Sequence, residues 1–383
     1  MPLFSILIPT KGRPLYARDA VLSVFHQDFD DVDVTLSNNG ADPATKAALA
    51  EFMGNPRFHY IEQPDVLDMP THWEVACRSV RGDNFLVLTD ISVLKQGALR
   101  KIAKLFTGQA GACELASWRW DSYDNASGLL SPGHSNTDTM QRLRTSDELL
   151  SFARGSNFMN QVYTLPGGTN SCVSRAVIER IRKREGLLFQ KITPDYRFAF
   201  SCLLNTTELV HFDEALFIRQ GPEVSNGINS VRGDARPYMN SLGLAAPWED
   251  VPIKAALVHN AIAQYFLATL RKYGRTDIRA EWNTTIYYLH CLGEIRLKKN
   301  GGILSASEID ELKSAVDMAL QNEDKRVRAS VYPSFARMIR NKTRTLARLA
   351  GRSAADLFRP HRHQSGGKLT FPTALEAAGF GRR

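Results

Sequence analysis

The chain has 383 residues, 43% of them hydrophobic, which is enough for one large domain with a packed core plus an accessory one. Its five cysteines (Cys77, Cys113, Cys172, Cys202, Cys291) are odd in number, widely spaced and free of any CxxC pair, so neither a disulfide framework nor a zinc knuckle is expected and a reducing cytoplasm fits. The formal charge of +8 is uneven: residues 325–383 hold 14 Lys or Arg against Asp356 and Glu376, a surplus of 12 that leaves the preceding 324 residues at −4, so a nucleic-acid-binding core is not expected.

In chain order, FSILIPT (4–10) predicts a first strand ended by Pro9 and the turn TKGRP, and Tyr16 to Phe25 predicts a helix from the spacing of Ala17, Ala20, Val21 and Val24. The start MPLFSILIPTKGR has too short an apolar run and no basic n-region for a signal peptide, and no stretch reaches the roughly 18 apolar residues of a membrane span. VDVTLSN (32–38) predicts the second strand, Pro43 to Phe52 a helix, RFHYIEQ (57–63) the third strand and Thr71 to Val80 another helix. NFLVLTD (84–90) reads as the fourth strand, Ala98 to Phe106 as a helix and ACELASWRW (112–120) as the fifth strand. This alternation predicts an α/β fold with a mostly parallel, Rossmann-like sheet and helices on both faces.

Residues 121–160, rich in Ser, Asp, Asn and Gly with weak periodicity, predict a long excursion over the site. TLPGGTNSCVSRAVIERI reads as a glycine turn entering a helix, PDYRFAFSCLL (194–204) as a helix and EALFIRQ (214–220) as a strand. From about Asp250 the pattern is helical throughout, over Ile253 to Tyr273, Asp277 to Ile295, Ala306 to Leu320 and Pro333 to Leu349. The expected organisation is an α/β domain over 1–225, a helical region over 226–350 and a basic, flexible tail over 351–383.

Parallel sheets bind ligands beyond the carboxyl ends of their strands. Thr10, Asn38 and Asp90 all fall at such ends and are expected to line one crevice. GxGxxG and GxxxxGK[ST] signatures are missing after the first strand. PTKGRP instead offers Lys11, Arg13 and backbone N–H groups at a helix start for a phosphate or nucleobase, or forms an ordinary turn with two solvated cations. Asp90 equally suits a helix cap or turn, Asp195 after Pro194 a first-turn acid, and Asn38 the NNG turn. Trp73, Trp118 and Trp120 suit the core or a sugar face, and His361 with His363 is too short a pair for a metal site.

SILIPTKGRPLYARDAVLSVFHQDFDDVDVTLSNNGADP resembles the opening of family 2 glycosyltransferases, with its Pro-Thr, Arg-Pro turn, Ser-Val helix end and Asn-Gly strand end. MPTHWEVACRSVRGDNFLVLTDISVLKQGAL continues the resemblance through an Arg-Gly turn, the strand that carries the DxD motif, and a Gly-Ala-Leu helix start. PDYRFAFSCLL and ALFIRQGPEVS resemble the Glu-Asp-Tyr helix and a later Tyr-Arg-x-His segment. The resemblance is dense to about residue 110, which would be the nucleotide-sugar half, thinner over the acceptor half to about 225, and absent beyond.

It implies a GT-A fold and transfer from a nucleotide-sugar donor, a UDP-sugar favoured, to a glycan or lipid-linked hydroxyl in polysaccharide or glycan biosynthesis, with inversion. Thr10, Lys11 and Arg13 would lie beside the nucleotide, Asn38 and Asp68 near the base, and Asp90 at the donor diphosphate. Mg²⁺ or Mn²⁺ would be held by Asp90 with Ser92, and Asp195 would be the general base. Three positions depart from the family pattern: the DxD reads Thr-Asp-Ile or, shifted by one, Asp-Ile-Ser, Pro194 stands for the glutamate, and Gln220 for the later histidine. These departures imply either weak metal dependence, with Lys11, Arg13 or Arg219 supplying charge, or a catalytically silent nucleotide-sugar binder; a sugar nucleotidyltransferase is a further alternative.

The tail carries its own expectation. In SFARMIRNKTRTLARLAG, Phe335, Met338, Ile339, Leu346 and Leu349 fall near one helical face, and Arg337, Arg340, Lys342, Arg344 and Arg348 fill the rest. Such a helix suits an anionic membrane surface, placing the protein in the cytoplasm or peripherally on the inner face, or it packs on the protein with a solvated basic side.

Overall fold

The structure, a computed structural model, describes residues 1–108, 113–133, 139–155, 163–191, 193–221, 236, 248–349 and 369–380. The chain divides into two compact units, one of Met1–Leu150, Phe158–Ser225 and Lys368–Arg383, the other of Ser151–Asn157 and Asn226–Gly367.

The first unit is built on a ten-stranded sheet in the order β3-β2-β1-β4-β9-β6-β10-β5, with β7 on β6 and β8 on β10. β1 (Phe4–Thr10) and β2 (Val32–Asn39) are buried along their whole length, as a sheet covered on both faces requires. β1, β2, β3 (Phe58–Gln63) and β4 (Asn84–Val87) pair in parallel, as expected, and the register sets Thr10 directly opposite Asn38. α1 (Pro14–Phe25) buries Ala17, Ala20, Val21 and Val24 against them. α2 (Pro43–Ala48), α3 (Met69–Ala76) and α4 (Ala98–Phe106) follow where the periodicity places them, the first two shorter than expected because each passes into a single 3₁₀ turn.

Past β4 the sheet is mixed. β9 (Ser171–Ser174) lies antiparallel to both β4 and β6 (Leu115–Asp124), while β10 (Glu208–Arg219) runs parallel to β6. The expected strand 84–90 ends early, at Val87. The chain turns, with Ser92 N donating to Thr89 O at 2.9 Å, and re-enters as β5 (Ser92–Leu94), antiparallel to β10, so that Ser92 faces Arg219.

The described part of 121–160 is structured, not a long excursion. β6 continues to Asp124, β7 (Leu129–Ser131) folds back on it, β8 (Met140–Arg144) joins the edge of β10, and α5 (Thr145–Gly155) follows. These strands escape the hydrophobic pattern because β8 is largely exposed and the hairpin is closed by polar contacts, Asp124 Oδ1 accepting from the N–H groups of Ala126 and Ser127. Gly128 completes that turn at φ +68°, where a Cβ would stand 2.7 Å from Phe371 O.

Phe371 belongs to the C-terminal segment expected as a flexible tail. Residues 369–380 instead pack on this unit, with a β-bridge from Leu129 to Thr370, a 2.8 Å hydrogen bond from Tyr123 OH to Phe371 O, and Ala374, Ala377 and Ala378 buried against Val93, Tyr123 and Ile218. Three small apolar residues in a charged, Gly-containing tail are too weak a pattern to announce such packing.

The second unit is helical: Val258–Lys272, Thr276–Ala280, Thr284–Asn300, Ala306–Gln321 and Lys325–Leu349. The expected helix from Asp277 to Ile295 is broken because Asn283 caps a new one, accepting from Ile286 N at 3.1 Å. The last helix starts at Lys325 and carries Pro333 in its interior. Phe335, Met338 and Ile339 are half-buried on it, and Arg337 and Arg340 are exposed. The side chains of Lys342, Arg344, Leu346, Arg348 and Leu349, and all of His361 and His363, lie outside the described residues. Among the described residues no helix is long and apolar enough to cross a membrane.

Candidate active site

The site begins where β1 ends. Gly12, at φ +62°, turns the chain, and Pro14 starts α1. This sharp turn brings Thr10 and Arg13 to the same carboxylate. Thr10 Oγ1 donates to Asp90 Oδ2 at 2.8 Å and Arg13 Nη1 pairs with Asp90 Oδ1 at 3.0 Å. Asp90 is 2% exposed. Burial raises its carboxyl above the ordinary value, and the Arg13 charge and the Thr10 hydroxyl oppose that rise.

Asn38 is fully buried beside Thr10; its Nδ2 donates to Asp42 O and to Tyr60 OH, both at 2.9 Å. Its Oδ1 meets no partner among the described residues, which leaves a buried acceptor at the strand end. Asp68 caps α3, accepting from Thr71 N at 3.0 Å and Thr71 Oγ1 at 2.9 Å, and the loop before it is held by Asn39, which exchanges hydrogen bonds with the Leu67 backbone. Lys11 is exposed and acts on His72, whose ring bonds Ser37 Oγ at 2.8 Å; burial and that charge hold the imidazole neutral, with its pKa lowered to about 4.

The second half of the site is delivered by β10 and the helix Pro194–Leu204. Gln220 N donates to Ile91 O at 2.8 Å, tying the end of β10 to the Asp90 turn. The Gln220 amide is buried beside Asp19; it lowers that carboxyl's pKa while burial, the larger effect, raises it. Its Nε2 does not meet any described residue in hydrogen-bond geometry, and its Oε1 accepts from Asn125 Nδ2 at 3.3 Å. Arg219 stacks on Trp120, its Cζ 4.6 Å from the ring centroid, and Trp120 contacts Tyr163 at 4.5 Å.

Asp195 lies in the first turn of its helix, entered through Thr193 at φ +46°. A left-handed threonine is strained, and such strain gathers at functional sites. Protein surrounds the partly exposed Asp195 carboxyl closely enough to raise its pKa, and Arg219 acts against that rise. Thr10, Arg13 and Asp90 thus meet at the end of β1 with Asn38 in register beside Thr10, and the consecutive residues Gln220, bonded to Ile91, and Arg219, whose charge acts on Asp195, link the Asp90 turn to that carboxyl. Sequence reasoning missed Asp19, Tyr60, His72 and Tyr163, since each acquires its place only through a tertiary neighbour.

These residues fit a resident divalent metal poorly. Both Asp90 oxygens are taken, a guanidinium stands 3.0 Å away where it would repel a dication, and Ser92 Oγ is bound to Thr89 Oγ1 at 2.7 Å. Among the described residues no three His, Cys, Asp or Glu side chains are grouped to share an ion.

Residues 5–181 match the family model described as glycosyl transferase family 2. Over these residues the chain is similar to family 2 glycosyl transferases. Its fold is that of GT-A structures: TarS from S. aureus is similar over 93% of this chain at 16% identity with a TM-score of 0.51, and this chain spans 54% of that protein's length. TarS 1–349 in complex with UDP-GlcNAc is similar over 86% of this chain and 92% of its own, at 13% identity and a TM-score of 0.49. The mannosyltransferase PcManGT from Pyrobaculum calidifontis, in complex with GDP-Man and Mn²⁺, gives 13% identity over 86% of this chain and 83% of its own, with a TM-score of 0.43. No curated protein matches the chain significantly.

In this site Arg13 neutralises a carboxylate whose side chain is 3% exposed, so Arg13→Met is expected to cost about 3 kcal/mol in chemical denaturation at neutral pH. The sign of its pH dependence is fixed. A carboxyl raised in the folded state binds its proton more tightly there, so its contribution is favourable at low pH and is lost as pH rises through the folded value. The Arg13→Met penalty should therefore shrink as pH falls; a penalty constant with pH contradicts the ion pair.

Proposed function

We propose that the protein transfers a sugar from a nucleoside-diphosphate donor, a UDP-sugar favoured, to a hydroxyl of a glycan or lipid-linked acceptor, with inversion, in polysaccharide or glycan biosynthesis. The observation that carries this reading is the convergence of Thr10 and Arg13 on the buried Asp90 carboxylate beyond the carboxyl ends of β1 and β4, inside the residues that match the family 2 model. Asn38 Oδ1 is the acceptor available to an N–H of the base, and Asp68 lies at the loop end on the same side. Lys11 and Arg13 offer positive charge to the phosphates.

Asp195 then acts as general base. Its carboxylate takes the proton from the acceptor hydroxyl, the oxygen bonds to the anomeric carbon, and the bond from that carbon to the phosphate oxygen breaks on the opposite side. A base works best when its pKa is near the working pH, and burial moves Asp195 upward in that direction. Asp195→Asn is expected to lower turnover by about 10²–10⁴-fold with donor affinity retained. Because the base is active when ionised, wild-type kcat/KM should rise with pH through a midpoint above the ordinary carboxylate value of 3.8. Full activity in Asp195→Asn, or an unchanged acid limb, would sink the assignment.

A lipid-linked acceptor would place the protein at the inner face of the membrane, and the exposed Arg337 and Arg340 of the last helix support contact with anionic lipid there. Full-length protein should co-sediment with vesicles containing phosphatidylglycerol and lose most of this in the double variant Arg337→Gln, Arg340→Gln; equal sedimentation of both removes the membrane role.

A further inference from the structure

The residue that usually completes an acidic pair, Ser92, carries no charge, and its cross-strand neighbour carries a positive one. Ser92 and Arg219 are register partners in the antiparallel β5/β10 ladder, so their side chains leave the sheet on the same face. The Arg219 guanidinium is held by stacking on Trp120, and it makes no hydrogen bond or ion pair within bonding distance of a described residue. Its charge reaches Asp195 and the Tyr163 and Tyr196 hydroxyls. Arg219 is half-buried, and a guanidinium drawn partly out of water is stabilised when an anion completes it.

We infer that Arg219 binds the leaving diphosphate of the donor and stabilises it in place of a divalent cation, which makes this enzyme's transfer independent of metal. The inference rests on the glycosyl-transfer reading above. As the bond between the anomeric carbon and the phosphate oxygen breaks, its electron pair stays on that oxygen, and the Arg219 N–H donors meet the charge that develops there. The acceptor proton goes to Asp195, whose carboxyl feels the charge of the same guanidinium. Arg13 is committed to Asp90 through one nitrogen and assists from the other side.

The test is calorimetric titration of the full chain with UDP and with GDP, in EDTA and in Mn²⁺, followed by turnover with whichever nucleotide-sugar corresponds. Wild-type affinity and turnover should be equal in EDTA and Mn²⁺. Arg219→Gln should weaken nucleoside-diphosphate binding by about tenfold or more and lower turnover by about 10²-fold. Arg219→Lys, which keeps the charge, should recover most of the affinity and so separates loss of charge from loss of fold. Wild-type binding that needs Mn²⁺, or full affinity in Arg219→Gln, overturns the inference and leaves the transferase reading standing. Absence of UDP and GDP binding in every condition overturns the donor reading and this inference with it.

Discussion

One buried charge organises this crevice. A carboxylate that is 2% exposed is tolerable only when paired and hydrogen-bonded, and Asp90 meets that need through two residues of the turn after β1. The pairing fixes that turn, the first turn of α1 and the exit of β4 in one arrangement. From there the three residues of β5 cross to β10 and bring Arg219 and Gln220 alongside. The base-side groups follow from β2, whose last residues lie in register with the end of β1.

Much of this was legible in the sequence, for a physical reason. β1, β2 and the helix Pro194–Leu204 are buried enough that their apolar spacing is imposed by the core, Thr10 and Asn38 follow from standing where those strands run out, and Asp90 from the turn just past β4. β5 was hidden because three residues contain no period. β8 was hidden because its side chains face solvent, so only its backbone pairing with β10 declares it a strand. The C-terminal segment was hidden because its partners, Val93, Tyr123 and Ile218, are more than 150 residues away in the chain.

The site residues divide along the same line. Asp90 and Asp195 stand at element boundaries, where a lone carboxylate is conspicuous. His72, Tyr60 and Asp19 sit inside helices and strands as ordinary polar residues, and only the fold brings them to Ser37, Asn38 and Gln220. The strain at Thr193 was invisible as well, since nothing in KITPDY announces a left-handed threonine.

The central claim is that the Asp90 crevice holds the nucleoside diphosphate of a sugar donor. Its most direct measurement is release of nucleoside diphosphate from a panel of UDP- and GDP-linked sugars by the full chain and by Asp90→Asn, with folding of both checked by thermal melting. The account predicts release from at least one donor by the wild-type chain, and its loss in a folded Asp90→Asn. Equal release by both, or none from any donor, would contradict it.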